Sequence, residues 1–310
     1  MDRSGQPVIP FWNKNRRKTK LFLFLLALPF IAHIAIFVYY PLWGWSMAFI
    51  KFSPGVPIFD STFVGLNNFI RLLFNDRVFY RVLRNTVILN SLNLLASVFP
   101  LIIAMFLAEI RMKRFKYTVQ TMISFPNYIS WILVYGVFFM FMSHEGVINT
   151  ILMSLGLTKE PLQFLQNSDW AYVLQTLITL WKGAGWTAII YIAAISGLDQ
   201  EVYEASLVDG ANKFRRMWHV TLPGLMPTFI VLTILNVGNI LSAFDQYFVF
   251  INPLVSDKLE VLDMYAYRIG IGIGNYSYAT AIGMTKTLVS VVLLTSANLL
   301  AKWYSGKSIL

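Results

Sequence analysis

Six long apolar stretches alternate with short polar segments along this chain. They lie near residues 21–43, 86–109, 118–142, 170–196, 224–250 and 277–302. Each is long enough for a helix to cross a bilayer, which takes about 20 residues. A helix satisfies its own backbone hydrogen bonds in lipid, and the alternating pattern of a membrane barrel strand does not occur. The pattern therefore predicts an all-α integral membrane protein with six transmembrane helices.

Composition agrees with a membrane protein. Of 310 residues, 57% are hydrophobic and 13% are charged, whereas a soluble domain carries about 25% charged residues. The net charge of +10 could indicate nucleic acid, but the basic residues cluster beside apolar stretches. That distribution is typical of a topology signal in lipid and not of a nucleic-acid surface. The chain has no cysteine, so disulfides and thiolate chemistry are excluded.

The basic residues also predict the orientation. Six spans put both termini on one side, where the segments hold 15 Lys and Arg against 8 on the other side. The positive-inside rule places the termini and the loop 197–223 in the cytoplasm. We expect residues 1–20 to form a cytoplasmic basic N-terminus and residues 21–310 a single transmembrane domain. No small-residue cleavage site follows the first apolar run, so it is expected to remain as a helix.

One outer segment carries an unusual number of arginines. Arg77, Arg81 and Arg84 share one face of a helix, and apolar residues form another. This pattern predicts a helix that lies in the membrane interface and enters the second span at Asn85. The arginines would contact lipid headgroups, or alternatively form a rim that contacts an external partner.

The sequence offers no catalytic or nucleotide-binding motif. It contains no P-loop, no H-E-x-x-H and no G-x-S-x-G, and its three histidines fall in different segments. We therefore expect no enzyme activity, no metal and no cofactor in this chain. Internal repeats are not evident, which disfavours a secondary transporter with duplicated halves. A self-contained ion-coupled transporter or channel remains the alternative to a subunit of a larger transport system.

Polar and aromatic residues inside the spans are candidates for a transport pathway, because polar groups facing lipid are costly. They are Trp181, Lys182, Trp186, Tyr191, Asn236, Asn239, Asp245, Gln246, Tyr247 and Lys286. Asn236 and Asn239 are three apart and share a helix face. Amides and aromatic rings suit a sugar, and the two lysines would favour an acidic one. Alternatively, these groups bond neighbouring helices or pair as Lys and Asp inside the bundle.

The loop 197–223 has its own helix signals. Asp199 can cap a helix over residues 200–209, and Gly210 fits the stop, where a positive φ is often needed. Phe214 and Trp218, four apart, can anchor a second helical turn. Such a rigid element could dock into a groove on a cytoplasmic partner.

A family motif covers this loop. Its sequence EASLVDGANKFRRMWHVTLP resembles the E-A-A-x-x-x-G-x(9)-I-x-L-P motif of membrane subunits in bacterial ATP-binding-cassette importers. Ser206 and Val220 depart from the usual alanine and isoleucine. The resemblance implies a coupling helix that contacts an ATPase. The residues that would form the ATPase contact are Glu204, Ala205, Ser206, Asp209, Gly210, Ala211, Phe214, Leu222 and Pro223.

The resemblance extends over nearly the whole chain. The segments FPNYISW, YEASLVDGA and YAYRIGIGIGNYSYATAIG are similar to one branch of the sugar-importer permeases, that of the polysaccharide and alginate importers and the lipoprotein permeases. This implies a type I importer fold in a bacterial cytoplasmic membrane, with alternating access to a sugar site. It also implies a second homologous permease subunit, two ATPase subunits that bind ATP and Mg²⁺, and an external solute-binding protein. An acidic, alginate-like oligosaccharide is a candidate substrate.

Overall fold

The computed structural model describes residues 16–305, with side chains described for residues 19–303. The predicted basic N-terminus falls largely outside these residues. Within them, six helical segments are long and apolar enough to cross a membrane, which agrees with the predicted number. They are Thr19–Phe49, Arg77–Ala108, Trp131–Ser154, Ala171–Ser196, Lys213–Gly238 and Tyr276–Trp303.

The connections between the helices of this range differ in length, and 3₁₀ or π turns extend several of the helices. The helices are α1 Arg16–Ile34, α2 Asn67–Ile70, α3 Arg77–Ala96, α4 Val98–Ala108, α5 Lys113–Ser124, α6 Trp131–Met142, α7 Val147–Ser154, α8 Ala171–Ser196, α9 Gln200–Val208, α10 Lys213–Arg216, α11 Leu222–Gly238, α12 Asp245–Phe250, α13 Ser256–Leu259, α14 Leu262–Tyr267 and α15 Tyr276–Ser305. Strand β1 (Ile50–Lys51) pairs antiparallel with β2 (Thr62–Phe63), with Ile50 opposite Phe63.

The second span begins earlier than predicted. Helix α3 starts at Arg77, where the Asp76 carboxylate accepts a hydrogen bond from the Phe79 amide at 3.0 Å and caps the helix. In the described chain no separate helix over residues 77–84 precedes Asn85, because α3 continues through this residue to Ala96. Arg81 binds Glu260 of the same chain at 2.8 Å.

The third span, predicted as continuous over 118–142, is broken between α5 and α6. A 3₁₀ turn containing Pro126 follows α5, and Ser130 then caps α6. Proline has no amide hydrogen and disfavours helix in the residue before it, which accounts for the break. The Lys182 ammonium donates to the carbonyls of Pro126 and Asn127 at 3.2 and 2.8 Å, and the Pro126 carbonyl also accepts from the Ile129 amide at 3.2 Å.

The fifth span is also broken, although residues 224–250 read as one apolar stretch. Helix α11 ends at Gly238, and the Asn239 side chain bonds back to the Leu235 carbonyl at 3.0 Å. An amide that competes for backbone groups in this way favours a helix end. Residues 239–244 are not helical, and Asp263 accepts a hydrogen bond from the Ala243 amide at 2.9 Å.

Helix α8 lies at the centre of the bundle and packs against α3, α4, α5 and α11. Its contact with α5 requires glycine at position 185, since a Cβ there would lie 2.1 Å from the Ile123 carbonyl oxygen. On the other side of the bundle, α15 packs along α11 and the segment Tyr40–Phe49. Helix α8 ends at Ser196, shortly before the start of α9 at Gln200.

Candidate functional site

Helix α9 forms where the loop signals predicted it. The Asp199 carboxylate accepts a hydrogen bond from the Glu201 amide at 2.9 Å, and the helix runs from Gln200 to Val208. Gly210 has φ of +71°, a left-handed conformation that is unfavourable for residues other than glycine. The amides of Gly210 and Ala211 donate to the carbonyls of Leu207 and Ser206 at 3.1 and 3.0 Å. This pair of bonds closes the helix end in a Schellman motif and makes a rigid turn.

The 197–223 loop is fixed to the membrane bundle through Arg216. Its guanidinium forms an ion pair with Glu109, the residue after α4, at 2.7 Å, and both side chains are only 12% exposed. The same guanidinium lies 5.8 Å from the centre of the Tyr203 ring on α9. The Tyr203 hydroxyl bonds the Thr221 hydroxyl at 2.6 Å. Arg216 therefore connects α9 to the end of the second span.

The candidates for ATPase contact are mostly exposed. Those whose side chains face solvent, or which lack one, are Glu204, Ala205, Asp209, Gly210, Phe214 and Pro223, while Ser206, Ala211 and Leu222 are partly buried. The exposed apolar residues of α9, which include Val202, Leu207 and Val208, extend this surface. The Phe214 ring packs edge-on against Phe106. The loop thus presents an apolar and acidic face with no partner in the described chain.

A second site is a polar cleft of about 320 Å³ between α3, α8 and α11. The structure places both predicted asparagines, Asn236 and Asn239, in its lining, although Asn239 follows the helix end. The other polar residues that line it are Asn90, Asn93, Ser97, Thr179, Thr187 and Ser242. Amides and hydroxyls predominate and charged residues are absent from this lining, which suits a neutral hydroxyl-rich ligand.

The wall on α3 was not anticipated from the sequence. Asn90, Asn93 and Ser97 follow an i, i+3, i+7 pattern, which puts them on one helix face. Asn93 donates to the Tyr247 hydroxyl at 3.4 Å, and its own carbonyl oxygen is buried without a partner in residues 16–305. Asn236 forms no side-chain hydrogen bond within those residues. The side-chain amides of Asn93 and Asn236 therefore each have hydrogen-bonding groups that no described residue uses.

Three of the predicted pathway residues on α12 behave differently from one another. Asp245 is exposed. Gln246 is buried and donates to the Gln175 side chain at 2.7 Å, while it accepts from Thr179 at 2.7 Å. Tyr247 is buried and meets the cleft only through Asn93. Gln246 and Tyr247 thus do not line the cleft, and each forms a hydrogen bond to a residue that does, Thr179 and Asn93 respectively.

Neither predicted lysine is available to a ligand in this conformation. Lys182 is 8% exposed and is engaged by the carbonyls at the break after α5. Lys286 forms an ion pair with Asp263 at 2.5 Å. Both lysines therefore bond groups within the bundle, which is the alternative interpretation of their sequence positions. Among the described residues, no group of three or more histidines, aspartates or glutamates could hold a metal ion.

The aromatic candidates on α8 lie outside the cleft lining. Tyr191 is buried in an apolar cluster with Leu101 and Leu225. Trp181 packs edge-on against Phe138, and Trp186 packs edge-on against Tyr128. Both tryptophans are partly exposed on the surface of the chain. Of the ten predicted pathway residues, Asn236 and Asn239 line this cleft.

Comparison with known proteins identifies the family. Residues 96–307, more than half of the chain, match the family described as "binding-protein-dependent transport system inner membrane component". The chain belongs to this family. It is a multi-pass membrane permease subunit of ABC importers, and the alternative of a self-contained transporter or channel has no support.

Relatives and solved structures agree with the family. Protein LplB of Bacillus subtilis (strain 168) is 40% identical over 295 residues, covering 94% of this chain and 92% of that protein. The polygalacturonan/rhamnogalacturonan transport system permease protein YteP of the same organism is 37% identical, covering 96% and 95%. A crystal structure of a bacterial alginate ABC transporter, in complex with an alginate pentasaccharide-bound periplasmic protein, contains a similar chain with TM-score 0.86 and 30% identity. That match covers 94% of this chain and 98% of the other. The predicted type I permease fold is thereby confirmed.

Proposed function

We propose that this permease subunit forms half of the translocation pathway of an ATP-driven importer of oligosaccharides or polysaccharides. The observation that carries the proposal is the cleft of amides and hydroxyls between α3, α8 and α11. Relatives named for polygalacturonan and alginate transport support a saccharide substrate. Because the cleft lining holds no charged residue, it would bind the sugar hydroxyls whatever the charge of the saccharide.

The assembly follows from the family. We infer a heterodimer with a second, homologous permease, two ATPase subunits at the cytoplasmic face and an external solute-binding protein. ATP and Mg²⁺ would be bound by the ATPases. The presence of a periplasmic protein in the complex of the structural relative supports the external partner. The charge distribution supports both termini and the 197–223 loop in the cytoplasm.

In this assembly α9 would be the coupling helix. Its cap at Asp199 and its Schellman turn at Gly210 keep it rigid, so a displacement by the ATPase would not be absorbed within the helix. The face formed by Glu204, Ala205 and Val208 would enter a groove of the ATPase. Arg216 would pass the movement to Glu109 and so to the second span.

Alternating access then has a structural interpretation. ATP binding would draw the coupling helices of both permeases together and rotate the bundles, so that the cleft opens outward to receive sugar. Hydrolysis would return it to the inward-facing state. This subunit supplies the pathway and the coupling helix, and ATP hydrolysis takes place in the ATPase.

Uptake kinetics of asparagine variants test the sugar-binding role. Replacing Asn236 by alanine removes one uncommitted amide, which costs about 1 kcal/mol for one hydrogen bond, or roughly a fivefold higher KM for uptake. Thr233→Val on the same helix is the matched control, because Thr233 does not line the cleft. The assembled complex should form normally with either variant. Unchanged KM with Asn236→Ala, or loss of assembly, would refute the role.

A further inference from the structure

A second polar cleft, of about 690 Å³, lies at the end of the molecule away from α9. We call it the outer cleft. It adjoins the start of α3 and α15, whereas α9 adjoins the end of α4. Segment Arg77–Ala108 separates the two ends and has 32 residues, so the distance is on the order of 45 Å. The polar residues that line the cleft are Lys51, Ser53, Asn67, Asn68, Arg71, Asn75, Asn275 and Ser277.

The two walls of this outer cleft are joined to each other. The Phe52 amide, just after β1, donates to the Ser277 hydroxyl in the first turn of α15 at 2.9 Å. Asn275 accepts a hydrogen bond from the Tyr278 amide at 3.1 Å and fixes the preceding turn. The cleft is therefore bounded by interlocked segments that are far apart in sequence.

Arg71 is held in position. Its guanidinium lies 4.7 Å from the centre of the Tyr278 ring, in a cation–π contact. The Tyr278 hydroxyl donates to the Asp76 carboxylate at 2.5 Å, and Tyr265 donates to the same oxygen at 2.5 Å. A ring anchored in this way orients the cation above it, so little conformational entropy is lost when an anion binds.

The positive charge at the cleft is not neutralised within the described residues. Neither Lys51 nor Arg71 has a carboxylate within ion-pair distance there, and both side chains are exposed. Asp76 is committed to the two tyrosine hydroxyls and the Phe79 amide. Burial alone would raise the pKa of Asp76, but these hydrogen bonds outweigh it and hold the pKa below its ordinary value.

We propose that this outer cleft is a subsite for the carboxylates of an acidic saccharide. Guanidinium and ammonium groups bind carboxylates strongly, and the surrounding asparagines can bond hydroxyls. Because Lys182 and Lys286 are occupied within the bundle, selection for charge takes place at this outer end. The concave shape and the amides favour a saccharide over an acidic protein surface. The inference rests on the proposed function and assigns its substrate class.

Binding measurements on the full importer complex in nanodiscs, without solute-binding protein, test the subsite. The probes are fluorescent tetragalacturonate and its carboxyl-reduced, neutral counterpart. We expect the combined Lys51→Gln and Arg71→Gln variant to weaken tetragalacturonate binding at least tenfold and to leave the weak binding of the neutral probe unchanged. Arg71→Lys should restore part of the affinity. Arg77→Gln is the matched control, since Arg77 is exposed nearby but does not line the cleft.

Equal tetragalacturonate binding by wild type and the double variant would overturn the subsite. If that variant also loses its association with the solute-binding protein, the cleft is a protein-docking surface instead. Uptake of the neutral probe distinguishes the two proposals. If the complex imports neither saccharide, the proposed function fails, whereas normal uronate import by the double variant contradicts the subsite alone.

Discussion

The ion pair between Arg216 and Glu109 gives the sharpest prediction for the coupling loop. Replacing Glu109 by glutamine removes the negative charge and keeps the size of the side chain. The Arg216 guanidinium then lies against the Tyr203 ring without its carboxylate partner. In the wild-type pair, each of the two charged side chains is only 12% exposed. Exposed ion pairs contribute about 0–1 kcal/mol, and breaking a fully buried pair costs about 3–5 kcal/mol. For this largely buried pair we expect Glu109→Gln to lower the local stability of the loop by about 2 kcal/mol.

Amide hydrogen exchange of residues 213–221 measures this quantity. A loss of about 2 kcal/mol in local stability accelerates exchange through local opening by roughly 30-fold. Substrate-stimulated ATP hydrolysis should fall in parallel, because the loop no longer transmits its displacement to α4. The exchange of α15 should be unchanged, since it lies away from the pair.

The charge-reversed double variant separates the ion pair from general packing. Glu109→Arg with Arg216→Glu should recover part of the protection and of the stimulated hydrolysis that each single change removes. Arg215→Gln is the matched control, because Arg215 is exposed and forms no ion pair among the described side chains. Exchange within twofold of wild type for Glu109→Gln, or no recovery in the double variant, would refute the coupling role.

Three further changes have defined outcomes. Gly210→Val forces φ of +71° on a β-branched residue at a cost of about 1–2 kcal/mol, so stimulated ATP hydrolysis should fall while membrane insertion persists; unchanged hydrolysis would count against it. Lys182→Met removes the side-chain donor to the Pro126 and Asn127 carbonyls, of which Pro126 keeps its bond from the Ile129 amide; it should lower the Tm of the complex, and an equal Tm would contradict this. Since the pKa of Asp76 is lowered from 3.8, its contribution is present above about pH 4 and is lost as pH falls through the folded pKa. The protection factors of amides 262–278, which correct exchange for its intrinsic pH dependence, should therefore fall only below about pH 4, and Asp76→Asn should lower them at neutral pH.

The local signals of the loop were readable from the sequence because their partners are near neighbours. Asp199 caps an amide two residues later, and Gly210 lies directly after the last turn of α9. The number of spans was also predictable, since length and hydropathy alone determine it. These features depend on no distant contact.

The breaks in the third and fifth spans depend on contacts that no local pattern contains. Lys182 bonds carbonyls 55 and 56 residues away, and Asp263 bonds the amide of Ala243 across 20 residues. Hydropathy averages over such breaks, since the interrupted segments remain apolar. The charges of Lys182 and Lys286 pointed to an acidic ligand, but the sequence could not show that the chain itself satisfies both.

Asn90 and Asn93 illustrate the opposite case. Their spacing shows that they share a face, so the sequence held the signal for the α3 wall of the central cleft. The identity of the facing wall, from α8 and α11, required the packing of three helices. Sequence periodicity can orient a side chain on its own helix, whereas the partner across a cleft depends on the tertiary fold.

Uptake of labelled oligogalacturonate by proteoliposomes tests the proposed function most directly. We expect uptake only when this subunit is reconstituted with its partner permease, the ATPases, the solute-binding protein and ATP. Omitting any of these should abolish it, and Asn236→Ala should raise the KM for uptake. Uptake by this chain alone, or ATP-independent uptake, would contradict the role of an importer subunit.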